Sequence, residues 1–203
     1  MKGHDDDDGC AVYNSISDIE YERRTLREHR TIIVSSDIDS GAAHEFIEDI
    51  EMLKLSYSKD PIKVIISSPG GNVFSGIAMI RAVRGAQKIG IKIVGEVHGH
   101  ACSMAFFILQ CCDERHMGRL DILMAHGITT GFSGDMKSLE AENKLLGYWH
   151  TEFANLVASR CTTVGEYNEP SYWFEILRDN TPQWYTAEES MEMGLIDKID
   201  DNN

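Results

Sequence analysis

No stretch of this chain approaches the roughly 20 consecutive apolar residues that a membrane-spanning helix needs, so no membrane partner is expected. The first ten residues, MKGHDDDDGC, contain no apolar run of the kind that signals secretion. Basic residues are few: 19 Lys and Arg stand against 33 Asp and Glu, a formal net charge of −14. Such a surface repels phosphate backbones, and no basic stripe is present, so nucleic acid is not expected as a partner. Proline is scarce, with four in 203 residues, while 42% of the residues are hydrophobic. That combination excludes a disordered chain and fits one folded domain with a real core. The five cysteines are odd in number, and the vicinal pair Cys111–Cys112 fits neither a disulfide framework nor a zinc knuckle. Free buried thiols in a reducing cytoplasmic compartment are the expectation.

What is present is an alternation of short apolar runs with helical patterns. RTIIVSS (30–36) is rich in β-branched residues and reads as a strand. After it, Ala43, Phe46, Ile47, Ile50 and Leu53 share one helical face, with Asp39 or Ser40 as the cap. IKVIISS (62–68) is a second strand, continuous enough to be buried on both faces. Val73, Ile77, Ile80 and Val83 mark the next helix, IKIVGEV (91–97) a third strand, SMAFFILQCC a short buried helix and DILMAH (121–126) a fourth strand. A long amphipathic helix is predicted from about Asp135 to Arg160, with a stripe of Met136, Leu139, Leu146, Trp149, Phe153, Leu156 and Val157. Thr163 with Glu166, and Thr186 with Glu189, fit capping boxes, and Gly194 supplies a helix stop before a closing strand at LIDKI. Strands separated by helices predict an α/β fold with a parallel sheet. Residues 1–10 read as a solubilising acidic tail.

Three stretches carry possible chemistry. In GHACSMAFF (99–107), Ser103 follows a strand and a turn of small residues and opens an apolar helix. Helix capping is the commoner role for a serine so placed. A nucleophilic role needs a base within reach and donors aimed at an oxyanion. The hydrolase elbow GxSxG is not met, because Ala105 stands at its second glycine. In SSPGGNVFSG (67–76), Gly70 and Gly71 allow positive φ and close approach of a ligand to the backbone. No GK[ST] follows, so this is not a phosphate loop. His126 ends a strand and precedes the Gly-rich GITTGFSGD, a position suited to a general base and equally to a structural histidine. His98 and His100 form an HxH, but no further ligands complete a metal set, and no metal is expected.

The succession ISSPGGNVFSG, GHACSMAFF, ILMAHGITTGFSGD and TAEESMEMGLID resembles the signatures of the Clp-type serine protease proteolytic subunit, in that family's order. The resemblance covers roughly residues 28–199 and includes REHRTIIVSSDID, similar to the family's first strand. It implies a ClpP/crotonase-like spiral of β-β-α units with a protruding strand and long-helix handle. It also implies an N-terminal tail and axial segment over 1–27, one peptidase domain over 28–199 and a disordered C-terminus over 200–203. The implied nucleophile is Ser103, the base His126 and the triad acid Asp179, in the Arg178–Asp179 pair. Gly71 and Met104 are the implied oxyanion hole. Gly70, Gly127, Ile128 and Thr129 are implied to bind an extended substrate, and Arg178 to make an oligomer contact. Ala105 stands where the family has Gly, and His100 where it often has Gln.

The resemblance further implies a serine endopeptidase that cleaves unfolded polypeptides within two stacked heptameric rings, fed by an AAA+ unfoldase. ATP would belong to that partner, and no cofactor of the chain's own is expected. The long helix would make contacts between rings, with Trp149 a candidate contact or a core residue. A silent scaffold or regulatory subunit, a capsid-maturation protease of the same fold, and a thioester enzyme on the related crotonase spiral are the alternatives.

Overall fold

The structure is a computed structural model that describes residues 16–129, 131, 134–162 and 165–200. After helix α1 (Ile16–Glu28), strand and helix alternate: β1 (Thr31–Val34), α2 (Ser40–Leu55), β2 (Ile62–Ser68), α3 (Val73–Lys88), β3 (Ile93–Cys102) and α4 (Met104–Gln110). β4 (Glu114–Gly118), β5 (Ile122–Ala125), α5 (Met136–Arg160), α6 (Pro170–Asp179), β6 (Gln183–Tyr185), α7 (Ala187–Met193) and β7 (Lys198–Asp200) complete it. The strands form one sheet in the order β1-β2-β3-β4-β7, every neighbour parallel. This is a mixed α/β fold. No helix among the described residues is long and apolar enough to cross a membrane.

The helices start where side chains satisfy their first N–H groups. Asp39 accepts from Ala42 N at 2.8 Å, Asn72 from Ser75 N at 3.0 Å, and Asp135 from Ser138 N at 2.9 Å. Thr186 and Glu189 form the expected capping box, and Gly194 ends α7 in the left-handed region. Thr163 lies outside the described residues. The helix expected after it begins instead at Pro170, with Glu166–Asn168 forming a 3-10 turn before it. Proline favours this start because its fixed φ suits the first helical turn, where an N–H has no partner to lose.

The sheet forks along β3. Its first half, Val94–Val97, pairs with β4, while His100–Cys102 pairs with β5. The register against β2 slips between Ile66 and Ser68, and Gly99, at φ 88°, lies within the slip. The expected third strand therefore continues past residue 97 and carries the chain to Cys102, directly ahead of Ser103. β6 returns antiparallel to β5.

β4 and α1 were not expected. β4 reads ERHMG and hides its role, because one of its two inward-facing side chains, beside Met117, is a charged one. Arg115 is fully buried, bonded twice to Asp197 (2.9 and 2.8 Å), to Gln110 Oε1 (2.7 Å) and to the Arg160 carbonyl (3.2 Å). α1 is held to α2 by Arg23 and Arg27, 2.9 and 3.1 Å from Asp49.

The long helix has the expected span, but its apolar stripe is only half used. Its buried side chains are Phe153, Ala154, Val157 and Ala158, while Met136, Leu145 and Tyr148 are exposed. Trp149 is partly buried and packs edge-on against Phe74. Phe107 stacks on Phe153, and Trp173 is fully buried with its indole N–H on the Tyr167 carbonyl. Cys102, Cys111, Cys112 and Cys161 are buried and free.

Candidate active site

Ser103 occupies the first position outside α4, where a serine commonly caps. It does not cap: its side chain makes no capping bond, and its backbone sits at φ 53°, ψ −120°. A non-glycine residue rarely adopts such a conformation unless its surroundings enforce it. Here β5 enforces it, since Ser103 N–H donates to the Met124 carbonyl at 2.8 Å. The tight strand-to-helix turn leaves the hydroxyl unused by the helix.

Gly70 presses against this turn, and Gly71 against Ile38. A Cβ on Gly70 would lie 2.7 Å from Ser103 Cβ and 2.8 Å from Met104 N, so no other residue fits there. Ile38 N–H donates to Gly70 O at 2.8 Å and Asn72 N–H to Ile38 O at 2.7 Å. In a parallel bridge of this kind the residue between those two partners turns its own N–H the other way. The Gly71 N–H therefore faces away from Ile38. Met104 is the first residue of α4 and has no intrahelical acceptor for its N–H. Gly76 of α3 makes room for the Met104 side chain: a Cβ there would meet Met104 Cγ at 2.1 Å.

His126 follows β5 at the same end of the sheet. A cleft of about 320 Å³ gathers Gly70, Gly71, Ser103, Met104, His126, Gly127, Ile128 and Thr129 along one wall. A second hollow of about 480 Å³ shares Gly71, Val73, Ile128 and Thr129 with it and is walled by Phe74, Leu145 and Trp149. Eight of the residues picked out in the sequence thus line one cavity. Cys102 is buried beside it, and burial pushes its thiol pKa up, which removes it as a nucleophile near neutral pH.

The Arg-Asp pair lies differently. Asp179 is the last residue of α6 and is exposed, and it makes no hydrogen bond to the imidazole. The side chain that meets His126 is the next one. Asn180 Oδ1 lies 3.3 Å from His126 Nδ1, and Asn180 Nδ2 donates to Thr129 Oγ1 at 3.4 Å. The reason is conformational: Asn180 ends α6 in the left-handed region (φ 58°, ψ 14°), which Asn tolerates and which turns its amide back over Gly127. Arg178 is exposed and ion-paired with Glu175 on its own helix.

Sequence reasoning missed Asn180 and His150. The Asn that stops a helix was a readable signal, but the neighbouring carboxylate was the chemically more obvious choice. His150 carried no signal beyond its place on α5. Its Nε2 accepts the Ile128 N–H at 3.3 Å, and burial lowers its pKa, so the ring is neutral there and fastens the segment after His126 to the long helix.

A positive-φ serine, a strand-end histidine and paired glycines thus line one cleft at the carboxyl end of the parallel sheet. A family model described as Clp protease matches residues 14–203. The chain belongs to the Clp protease family. It is 27% identical over 177 residues to the ATP-dependent Clp protease proteolytic subunit 2 of Tropheryma whipplei, covering 86% of this chain and 92% of that one. It is 28% identical over 185 residues to subunit 1 of Corynebacterium jeikeium, covering 90% and 92% of the two chains. With subunit 1 of Protochlamydia amoebophila it shares 28% over 206 residues, covering 98% and 92%.

Proposed function

We propose that the chain is the proteolytic subunit of a Clp-type ATP-dependent protease and acts as a serine endopeptidase on unfolded polypeptides. The observation that carries this is Ser103, held at positive φ with an uncapping hydroxyl in the cleft that also holds His126. In the reaction, Ser103 Oγ attacks the scissile carbonyl carbon while His126 Nε2 takes the hydroxyl proton. The carbonyl oxygen becomes an oxyanion and rests on the Gly71 and Met104 N–H groups. Collapse breaks the C–N bond, and the imidazolium returns its proton to the leaving amine. Water, deprotonated by the same imidazole, then hydrolyses the acyl-enzyme and frees Ser103.

The segment Gly127–Thr129 binds the substrate main chain as an added strand, which gives grip with little sequence preference. The hollow walled by Phe74, Leu145 and Trp149 takes an apolar substrate side chain. The peptidase unit is a spiral of β-β-α units over 28–199, with α5 as its handle. The apolar side chains of Met136, Leu145 and Tyr148, unused by the chain's own core, support that assignment. The handle joins two heptameric rings into a closed chamber, which an AAA+ unfoldase supplies at the expense of its own ATP.

A silent scaffold subunit is the second reading, favoured by the amide that stands at His126 in place of a carboxylate. A fluorophosphonate probe decides between them. The peptidase reading expects a covalent adduct on Ser103 and hydrolysis of short fluorogenic peptides by the purified chain, both abolished by Ser103→Ala. No adduct and no hydrolysis in the assembled protein would leave the scaffold reading.

A further inference from the structure

Building on the peptidase reading, we infer that Asn180 is the positioning residue for His126, with Thr129 as the second hydrogen-bond partner of its amide. A neutral imidazole carries one N–H and one lone pair, and only the lone pair can take a proton from serine. Asn180 Oδ1 is an acceptor alone, so its place 3.3 Å from Nδ1 puts the ring proton on Nδ1 and the lone pair on Nε2. The reversed amide would offer Nδ1 a donor, drive the proton to Nε2 and disable the base. In the observed orientation Thr129 Oγ1 takes the Nδ2 donor at 3.4 Å, so both polar ends of the amide have a partner.

The backbone places this amide firmly. Asn180 N–H bonds the Ile176 carbonyl at 3.3 Å and closes α6. Gly127, next to His126, lies under the helix end: a Cβ there would meet Leu177 O at 1.9 Å and Asn180 Oδ1 at 3.2 Å. Asp179, one residue earlier on the helix, turns outward to solvent. An amide orients the ring as a carboxylate would, yet it brings no full negative charge to the imidazolium formed during attack. The chain therefore trades some rate for a base set by hydrogen bonding alone.

The test uses the full chain with Asn180→Ala, Asn180→Asp, Thr129→Val, Thr129→Ser and Asp179→Asn. Two readouts are followed against pH: the rate of fluorophosphonate addition to Ser103, and the ring nitrogen NMR signals of His126. Asn180→Ala is expected to slow addition by about 10²–10⁴-fold and to move the His126 proton off Nδ1. Asn180→Asp is expected to keep or raise the rate and to move the acid limb of its pH profile up by about 1–3 pH units, because a carboxylate favours the charged ring. Thr129→Val should slow addition about tenfold, in line with one lost hydrogen bond, and Thr129→Ser should restore it. Asp179→Asn should match wild type. Asp179→Asn behaving as Asn180→Ala was expected to, or Asn180→Ala leaving both rate and tautomer unchanged, overturns the inference. If wild-type Ser103 fails to react at all, the peptidase reading falls, and the His126 tautomer in Asn180→Ala still decides the role of Asn180.

Discussion

Gly127 and Leu177 meet backbone to backbone, so closely that a Cβ on the glycine would lie 1.9 Å from the leucine carbonyl oxygen. The contact seats the end of α6 beside His126, and it explains why a glycine follows the histidine here.

Gly127→Ala should therefore act on chemistry more than on folding. The clash is with backbone, so α6 must shift, and overpacking of this kind costs about 1–3 kcal/mol. A displacement of about 1 Å at the Asn180 amide is enough to lose on the order of 10²-fold in rate. Urea unfolding should report a modestly lower midpoint, and Ser103 labelling a much larger loss. A variant that labels at the wild-type rate would show that the helix end does not position the base.

The alternation of strands and helices was legible because periodicity reports burial, and most of this sheet is buried apolar strand. β4 escaped because Arg115 shares its core-facing side with Met117, and the three-dimensional pairing with Asp197, Gln110 and the Arg160 carbonyl makes a buried guanidinium tolerable. The cleft was legible because its parts are turn residues with special backbone needs. Asn180 was not, since helix phase decides which of two adjacent polar side chains faces the imidazole, and that phase depends on the start at Pro170 rather than on the capping box expected near residue 163.

The Arg115–Asp197 pair sets an acid limit on the fold. Burial alone would raise the Asp197 pKa, but the Arg115 hydrogen bonds and charge outweigh it and hold the carboxyl below its ordinary value. A depressed folded pKa gives stability that is present above the unfolded value of about 3.9 and lost as pH falls through the folded one. Thermal melts should thus show an added loss below about pH 4 that is absent in Asp197→Asn. Arg115→Met should cost about 3–5 kcal/mol at pH 7, since it strands a carboxylate beside the core.

His150 predicts a second acid effect, at the segment after His126. Burial lowers its pKa, so the neutral ring is the form that accepts Ile128 N–H. A depressed histidine contributes stability above its unfolded pKa of about 6.5, and that contribution is lost as pH falls through the folded value. The protection of the Ile128 amide against exchange, taken relative to the intrinsic rate at each pH, should fall on acidification through that range. His150→Leu should raise KM for a short peptide about fivefold with little change in kcat, the worth of about one hydrogen bond. His150→Gln, which keeps an acceptor, should recover most of it. An unchanged KM in His150→Leu would mean that the 127–129 segment is held without this bond.

Ser103 itself predicts a conflict between stability and activity. Its φ of 53° and ψ of −120° strain any residue with a Cβ, by about 1–3 kcal/mol. Ser103→Ala removes the hydroxyl and keeps the strain. Ser103→Gly removes both, at a cost of under about 1 kcal/mol in backbone entropy of the unfolded chain. Both variants should fail to react with a fluorophosphonate, yet Ser103→Gly should unfold at a higher urea concentration than Ser103→Ala, by up to about 2 kcal/mol. If the glycine variant is the less stable of the two, the turn is relaxed, and strain has no part in presenting the hydroxyl.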